Sequence, residues 1–257
     1  MKFLIKKTLF FFVLLLIANF TFSQKTDSTK SISHFSGNIS TTDNGISIIP
    51  AFSLNKPAAV FDLSAVKGRL SFEPYLGFSL EGKPWSFLFW WRYKLKQEGK
   101  FKINTGAHYG LAFSSVPVLN NGISTKTITA QRYLAGEFVP NYFLSKNIRV
   151  GVYYLYSHGL DSYAIQNTHF LTLNSSFTNI KLTNEFFLNF TPQFYYLNLD
   201  GVDGFYFTSV LTLAKKNFPL SVSYQMNKII KTNIAGPNYI GSASIVYSFN
   251  HNYVRHQ

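Results

Sequence analysis

No cysteine occurs among the 257 residues of the chain. Disulfides, thiolate metal sites and cysteine nucleophiles are thereby excluded together, and so is acylation at a mature N-terminal cysteine. Charge is scarce too. Asp, Glu, Lys and Arg make up 14% of the sequence, few for the surface of a soluble domain of this size. Acids are the rarer sign, with 11 Asp and Glu against 24 Lys and Arg. Past residue 23 no apolar run approaches the ~20 residues that a membrane helix needs. The longest candidate, residues 85–91, is far too short.

Aromatic residues are plentiful instead, at 18% of the chain, with 27 Phe and 16 Tyr. An apolar exterior built without long apolar helices leaves the closed β-barrel, in which every backbone polar group pairs with a neighbouring strand.

The first residues point to export. Lys2, Lys6 and Lys7 precede an apolar run from Thr8 to Ile17, and small residues follow at Thr21 and Ser23. These are the three parts of a secretory signal, with cleavage expected after Ser23. The polar residues 24–33 that follow are expected to be disordered on the periplasmic side. The chain keeps a basic balance without the signal. In an exported protein this points to acidic lipid head groups or anionic solutes and not to nucleic acid.

Alternation carries the fold. Leu182, Phe186, Leu188, Phe190, Pro192, Phe194 and Tyr196 occupy one face of a run whose other face holds Thr183, Glu185, Asn189, Thr191, Gln193 and Tyr195. Leu70, Phe72, Leu76, Phe78 and Leu80 alternate with Ser71, Glu73, Tyr75 and Ser79. Trp85, Phe87, Phe89, Trp91 and Tyr93 alternate with Ser86, Arg92 and Lys94. The polar faces are rich in Ser, Thr, Asn and Gln, as suits a confined lumen and not the solvent face of a sandwich. Trp85, Tyr133, Tyr142, Tyr239, Tyr247 and Phe249 lie near expected strand ends, where interfacial aromatic girdles belong.

Turn residues divide the chain into strands near 34–41, 46–64, 69–81, 85–95, 100–113, 127–143, 148–157, 167–178, 182–197, 204–214, 220–230 and 238–249. The expected fold is therefore all-β: an antiparallel transmembrane barrel of about twelve strands, closed as a meander over residues 34–249, with a tail at 250–257. An even count puts both termini in the periplasm. One segment fits poorly. Residues 46–64 contain Pro50, Asn55, Pro57 and a change of phase, read here as one strand with a bulge or inward fold.

The ending from Ser244 to Phe249 alternates apolar residues and closes on an aromatic. It resembles the C-terminal signal strand of Gram-negative outer-membrane barrels. That resemblance implies residence in the bacterial outer membrane, contact with its lipids, and recognition by the barrel-assembly machinery through the strand that ends at Phe249. Here residues 250–257 follow the aromatic, whereas many members of the family stop at it.

Chemical motifs are few. His108 is assigned to the lumen, with Ser114 and Ser115 beyond it. A lipid-modifying enzyme would need its nucleophile and base together on the lipid side, so neither a catalytic residue nor a cofactor is assigned. His158, Asp161 and His169 match no metal-ligand spacing. The constellation that remains is a set of charges turned inward by alternation: Glu73, Arg92, Lys94, Lys102, Glu137, Arg149 and Glu185. Such a set can tune the selectivity of a pore, or it can form salt bridges that fill a closed barrel. The reading is a narrow passive channel for ions or small solutes. The rival is a non-conducting structural or assembly barrel that serves a partner complex. A lipid hydrolase or acyltransferase is a more distant third.

Overall fold

The structure is a computed structural model and describes residues 32–120 and 123–254; the expected signal and the polar segment after it lie almost wholly outside these residues. Twelve antiparallel strands close into a barrel in which each strand pairs with its neighbours in sequence, and β1 pairs with β12. They are β1 (Ile32–Thr42), β2 (Ala58–Lys67), β3 (Leu70–Ser79), β4 (Pro84–Lys96), β5 (Phe101–Asn120), β6 (Ile123–Phe143), β7 (Ile148–Gly159), β8 (Asn167–Lys181), β9 (Phe186–Leu199), β10 (Val202–Lys215), β11 (Leu220–Thr232) and β12 (Tyr239–Val254). The expected all-β barrel is the fold observed.

Closure leaves no unpaired edge, and the period of two then separates the faces. Leu134, Leu173, Phe194, Val222 and Ile245 are large, apolar and exposed on the outer wall. Tyr206, Leu197, Thr168, Thr172 and Thr208 are fully buried. An outer wall of this kind is stable against lipid, not water. The ladders tolerate proline at interruptions. Pairing between β2 and β3 lapses opposite Pro74, and pairing between β6 and β7 lapses around Pro140, as expected of a residue that cannot donate.

Several boundaries differ from expectation. Residues 46–57 are not strand: β2 begins only at Ala58, and the connection carries a short 3-10 turn at Pro50–Phe52. Residues 114–126 are mostly strand, because β5 and β6 continue as one paired hairpin to Asn120 and Ile123. Residues 182–185 form a turn, so β9 starts at Phe186. β12 runs past Phe249 to Val254, where it still pairs with Ile32; residues 250–254 are barrel wall and not a tail.

Trp85 and Tyr133 also leave their expected places. Register slips between Gly77 and Phe78, which pairs with Pro84. This bulge turns Trp85 inward, where it is 5% exposed and its Nε1 donates to the Phe52 carbonyl at 2.8 Å. Tyr133 is likewise inside, its ring edge-on to Phe52 at 5.3 Å. Tyr142, Tyr239 and Tyr247 are exposed on the outer wall.

Candidate functional site in the lumen

Three inward charges meet at one level of the barrel. Arg92 on β4 donates from Nε to Glu137 Oε1 at 2.6 Å and from Nη2 to Oε2 at 3.3 Å. Its Nη1 donates to Glu73 Oε2 on β3. Glu137 also accepts from the Tyr153 hydroxyl at 2.9 Å, and Glu73 from Ser71 Oγ at 2.6 Å. The Glu137 side chain is 1% exposed. A carboxylate so buried needs these partners, since isolation there would be costly. The two-point grip of Arg92 on Glu137 fixes its orientation as well as its charge. The guanidinium lies 4.2 Å from the centre of the Trp90 ring, which adds a cation–π contact.

Arg92 and Glu137 reach each other because the strand between them is bare. In register they flank Gly106 of β5. A Cβ on Gly106 would lie 2.9 Å from Arg92 Cγ, Glu137 Oε1 and the Trp91 carbonyl oxygen.

Nearer the end that carries the termini, Lys94, Lys102 and Arg149 face the lumen, but not as partners of that cluster. Lys94 pairs in register with Asn104. Lys102 Nζ lies 4.7 Å from the centre of the Phe143 ring. Arg149 pairs in register with Phe143 and Ser176, and its Nε is buried with no partner. Glu185 does not face the lumen. It lies in the turn before β9, exposed, with Lys215 Nζ at 3.1 Å. The alternating pattern extends into this turn, but the strand begins only at Phe186.

Asp62 is the lumen charge that sequence reasoning missed. In register it sits between Asn38 and Tyr75, and Asn38 in turn faces Ser248. Tyr75 lines the interior, so the whole row does. Asn38, Asp62, Ser248 and Asn250 are inward by parity and yet exposed. On this side, small polar residues of β1, β2 and β12 leave room for water. The signal was present in the alternation of 58–67, but the phase change within 46–64 hid it.

Across the other half, residues 43–57 fold into the barrel. The neck is closed by Gly45 N donating to Lys56 O at 2.7 Å and Leu54 N to Gly45 O at 2.8 Å. At the tip, the Ile48 carbonyl accepts from the Tyr195 hydroxyl at 2.7 Å and from Asn227 Nδ2 at 3.3 Å. The Phe52 carbonyl takes the Trp85 bond on the opposite side. The loop therefore bridges β9 and β11 to β4, about half the ring apart. Its apolar tip of Ile46, Ile48, Ile49 and Phe52 lines a cavity of about 460 Å³ with Trp85, Trp90 and other wall residues. An apolar loop tip of this kind must be covered, and the lumen covers it.

The histidines do not assemble a catalytic group. His108 packs edge-on against Trp90, ring centres 4.1 Å apart. Ser114 Oγ is 3.3 Å from Thr129 Oγ1. His169 bonds the Tyr154 hydroxyl at 2.9 Å, and Asp161 is held by Arg132 at 2.6 Å. Among the described residues no three His, Asp or Glu side chains gather as metal ligands would.

No family model and no curated protein sequence matches the chain. Solved structures of similar fold include the KdgM porin in complex with disordered oligogalacturonate, at 9% identity over 84% of this chain and 99% of that one, with a TM-score of 0.49. The NanC porin is similar at 12% identity over 83% and 98%, TM-score 0.48. An outer membrane channel from Pseudomonas putida F1 is similar at 10% identity over 89% and 99%, TM-score 0.46. At this distance the likeness concerns barrel architecture alone.

Proposed function

We propose that the chain spans a bacterial outer membrane and passes ions or small solutes passively through a narrow, off-centre bore. One observation carries this reading: Asn38, Asp62, Ser248 and Asn250 point inward in a closed barrel and remain exposed. Inward polar groups that stay accessible mean a wet lumen, whereas a filled barrel would bury them. The bore runs along β1, β2 and β12, and the loop of residues 43–57 narrows it at the end away from the termini. That end faces outward, since both termini of such barrels lie in the periplasm. The apolar outer wall would contact the membrane lipids. The assembly machinery would read β12, on which Phe249 stacks with Tyr247 at 6.4 Å on the outer wall. Export would rest on the basic and apolar residues 1–23, which lie outside the described residues.

The rival reading, a non-conducting barrel, draws on the same loop. Its bonds to both walls would serve a plug as well as a constriction. Swelling of liposomes that contain the refolded protein separates the two. A channel admits a pentose faster than a disaccharide, or at least carries ionic current across a planar bilayer; a plugged barrel does neither, and that joint outcome would remove the channel reading.

A further inference from the structure

The two ends of the barrel differ in charge. Every tight turn at the end that carries the termini has an exposed cation in or beside it: Arg69, Lys100, Lys146, Lys181 and Lys216. Among the described residues the acids of these turns are Glu98 and Glu185, and Lys215 already holds Glu185 at 3.1 Å. At the other end acids are mixed with cations. Glu81 lies 2.8 Å from Lys83, and Asp161 lies 2.6 Å from Arg132. A rim of one sign fits an anionic surface. Two of its cations also touch rings of the outer wall. Lys96 Nζ lies 5.7 Å from the centre of the Phe101 ring, and Lys215 Nζ 5.8 Å from that of Phe186. The ammonium groups therefore stand where an apolar wall gives way to polar surface, the level of lipid head groups.

The wall beside this rim has one hollow. In register Ala65 of β2 lies between Phe35 of β1 and Phe72 of β3, and Phe72 meets Trp91 of β4. Phe35 and Trp91 are exposed on the outer wall, and residues opposite in register share a face. A methyl group between large rings leaves a groove of about 330 Å³. Lys67, the next outward residue towards the rim, lines it too.

We propose that this groove holds an acyl chain of a phospholipid with an anionic head group, its chain over Ala65 and its phosphate on Lys67, with Arg69 beside it. The apolar walls would accept the chain of any lipid. The lysine at the rim end, inside a rim of like charge, selects the anionic head group over a zwitterionic one. With the termini in the periplasm, the lipid belongs to the inner leaflet. The proposal rests on the membrane reading of the barrel but not on conduction.

The test uses the refolded full chain in phosphatidylcholine vesicles that contain a minor share of brominated lipid. Trp91 lines the groove from outside, whereas Trp85 and Trp90 are buried within the barrel, so bromine in the groove quenches Trp91. Dibrominated phosphatidylglycerol should reach half-quenching at about one fifth of the share that dibrominated phosphatidylcholine needs, and high salt should shrink that advantage. Lys67→Gln, alone or with Arg69→Gln, should bring the two lipids together, and so should Ala65→Phe, which fills the groove. The single exposed change Lys67→Gln suffices should the others fail the heat-shift gel for folding. Lys228→Gln with Lys231→Gln, at the other end, should leave the advantage intact. Equal quenching by the two lipids in the wild type, or an advantage that survives Lys67→Gln with Arg69→Gln, overturns the site. In a Trp91→Phe background, Leu173→Trp puts an indole on the far wall, where both lipids should quench alike. Quenching there by neither lipid would remove the membrane reading itself. Quenching there but not at Trp91 would mean that protein covers the groove, and the site alone falls. A barrel that prefers the anionic lipid yet carries no current keeps the site and removes the channel.

Discussion

Arg92 on β4 and Glu137 on β6 form an ion pair across a strand that neither belongs to, over the bare backbone of Gly106. The pair ties three adjacent strands and, through Glu73, a fourth.

Breaking it should cost more than removing it. Arg92→Met leaves Glu137 buried without its cation and should destabilise the barrel by about 3–5 kcal/mol. Gly106→Ala should cost ~1–3 kcal/mol by overpacking, since one of the close contacts is a backbone oxygen that cannot move aside. Arg92→Met with Glu137→Gln should lose less than the two single changes summed. Urea titration read by the heat-shift gel measures all of these. Full additivity would show that the two side chains do not interact.

The outer wall offers a test of register. Phe190 packs beside Phe177 with ring centres 6.2 Å apart on the lipid side of β9, while Gln193 faces the lumen. Phe190→Arg should cost about 2–4 kcal/mol when folding into liposomes, and Gln193→Arg much less. Equal losses would mean that the faces have been exchanged.

Outside the membrane, the connection at residues 160–166 is tied back by Asp161. Hydrogen bonds from the Arg132 side chain, then from its backbone N–H, hold the Asp161 carboxyl below the usual carboxylate range. A depressed folded value means that the tie is complete above the ordinary value of ~3.9 and is lost only as pH falls through the lower one. The carboxyl carbon of Asp161, followed by NMR, should titrate below ~3.9, and Arg132→Gln should move it up towards that value without fully restoring it, because the backbone N–H still donates. A wild-type midpoint at or above the ordinary value would refute the tie.

Lumen charge sets the expected selectivity. Arg92, Lys94, Lys102 and Arg149 share the lumen with Asp62, Glu73 and Glu137, and Arg92 offsets only one of the two carboxylates that it bridges. Lys94, Lys102 and Arg149, towards the end that carries the termini, outweigh Asp62 and the remaining cluster carboxylate together, so anions should be weakly preferred. Lys94→Glu with Lys102→Glu should move the reversal potential in a salt gradient towards cations while the barrel stays folded. An unchanged potential would place the ion path away from these residues.

Much of this architecture could be read from period alone. A strand of period two with small polar residues on one face and Phe or Leu on the other has one stable home, and the runs 70–80 and 186–196 took it without correction. The inward placement of Glu73, Arg92, Lys94, Lys102, Glu137 and Arg149 followed from the same count. What failed failed where local geometry breaks the period. A bulge turned Trp85 inside, and a turn took Glu185 out of β9. The phase change before Ala58 concealed Asp62, although it marked the segment in which the chain folds inward. Strand pairing extended β5 and β6 through residues that looked like loop, because backbone hydrogen bonds along a hairpin outweigh weak local preference. That Gly106 lets two side chains meet across it is a tertiary fact, invisible to any one-strand reading.

The central claim is that a wet bore passes the loop of residues 43–57. Single-channel recording in planar bilayers tests it, comparing the wild type with a variant in which residues 46–54 are replaced by a short Gly-Ser link. Small, steady conductance steps are expected from the wild type and steps several-fold larger from the variant, because the loop occupies the lumen between β4 and β9–β11. Silence in both proteins, with each shown folded by its heat shift, would contradict the channel and leave a structural barrel.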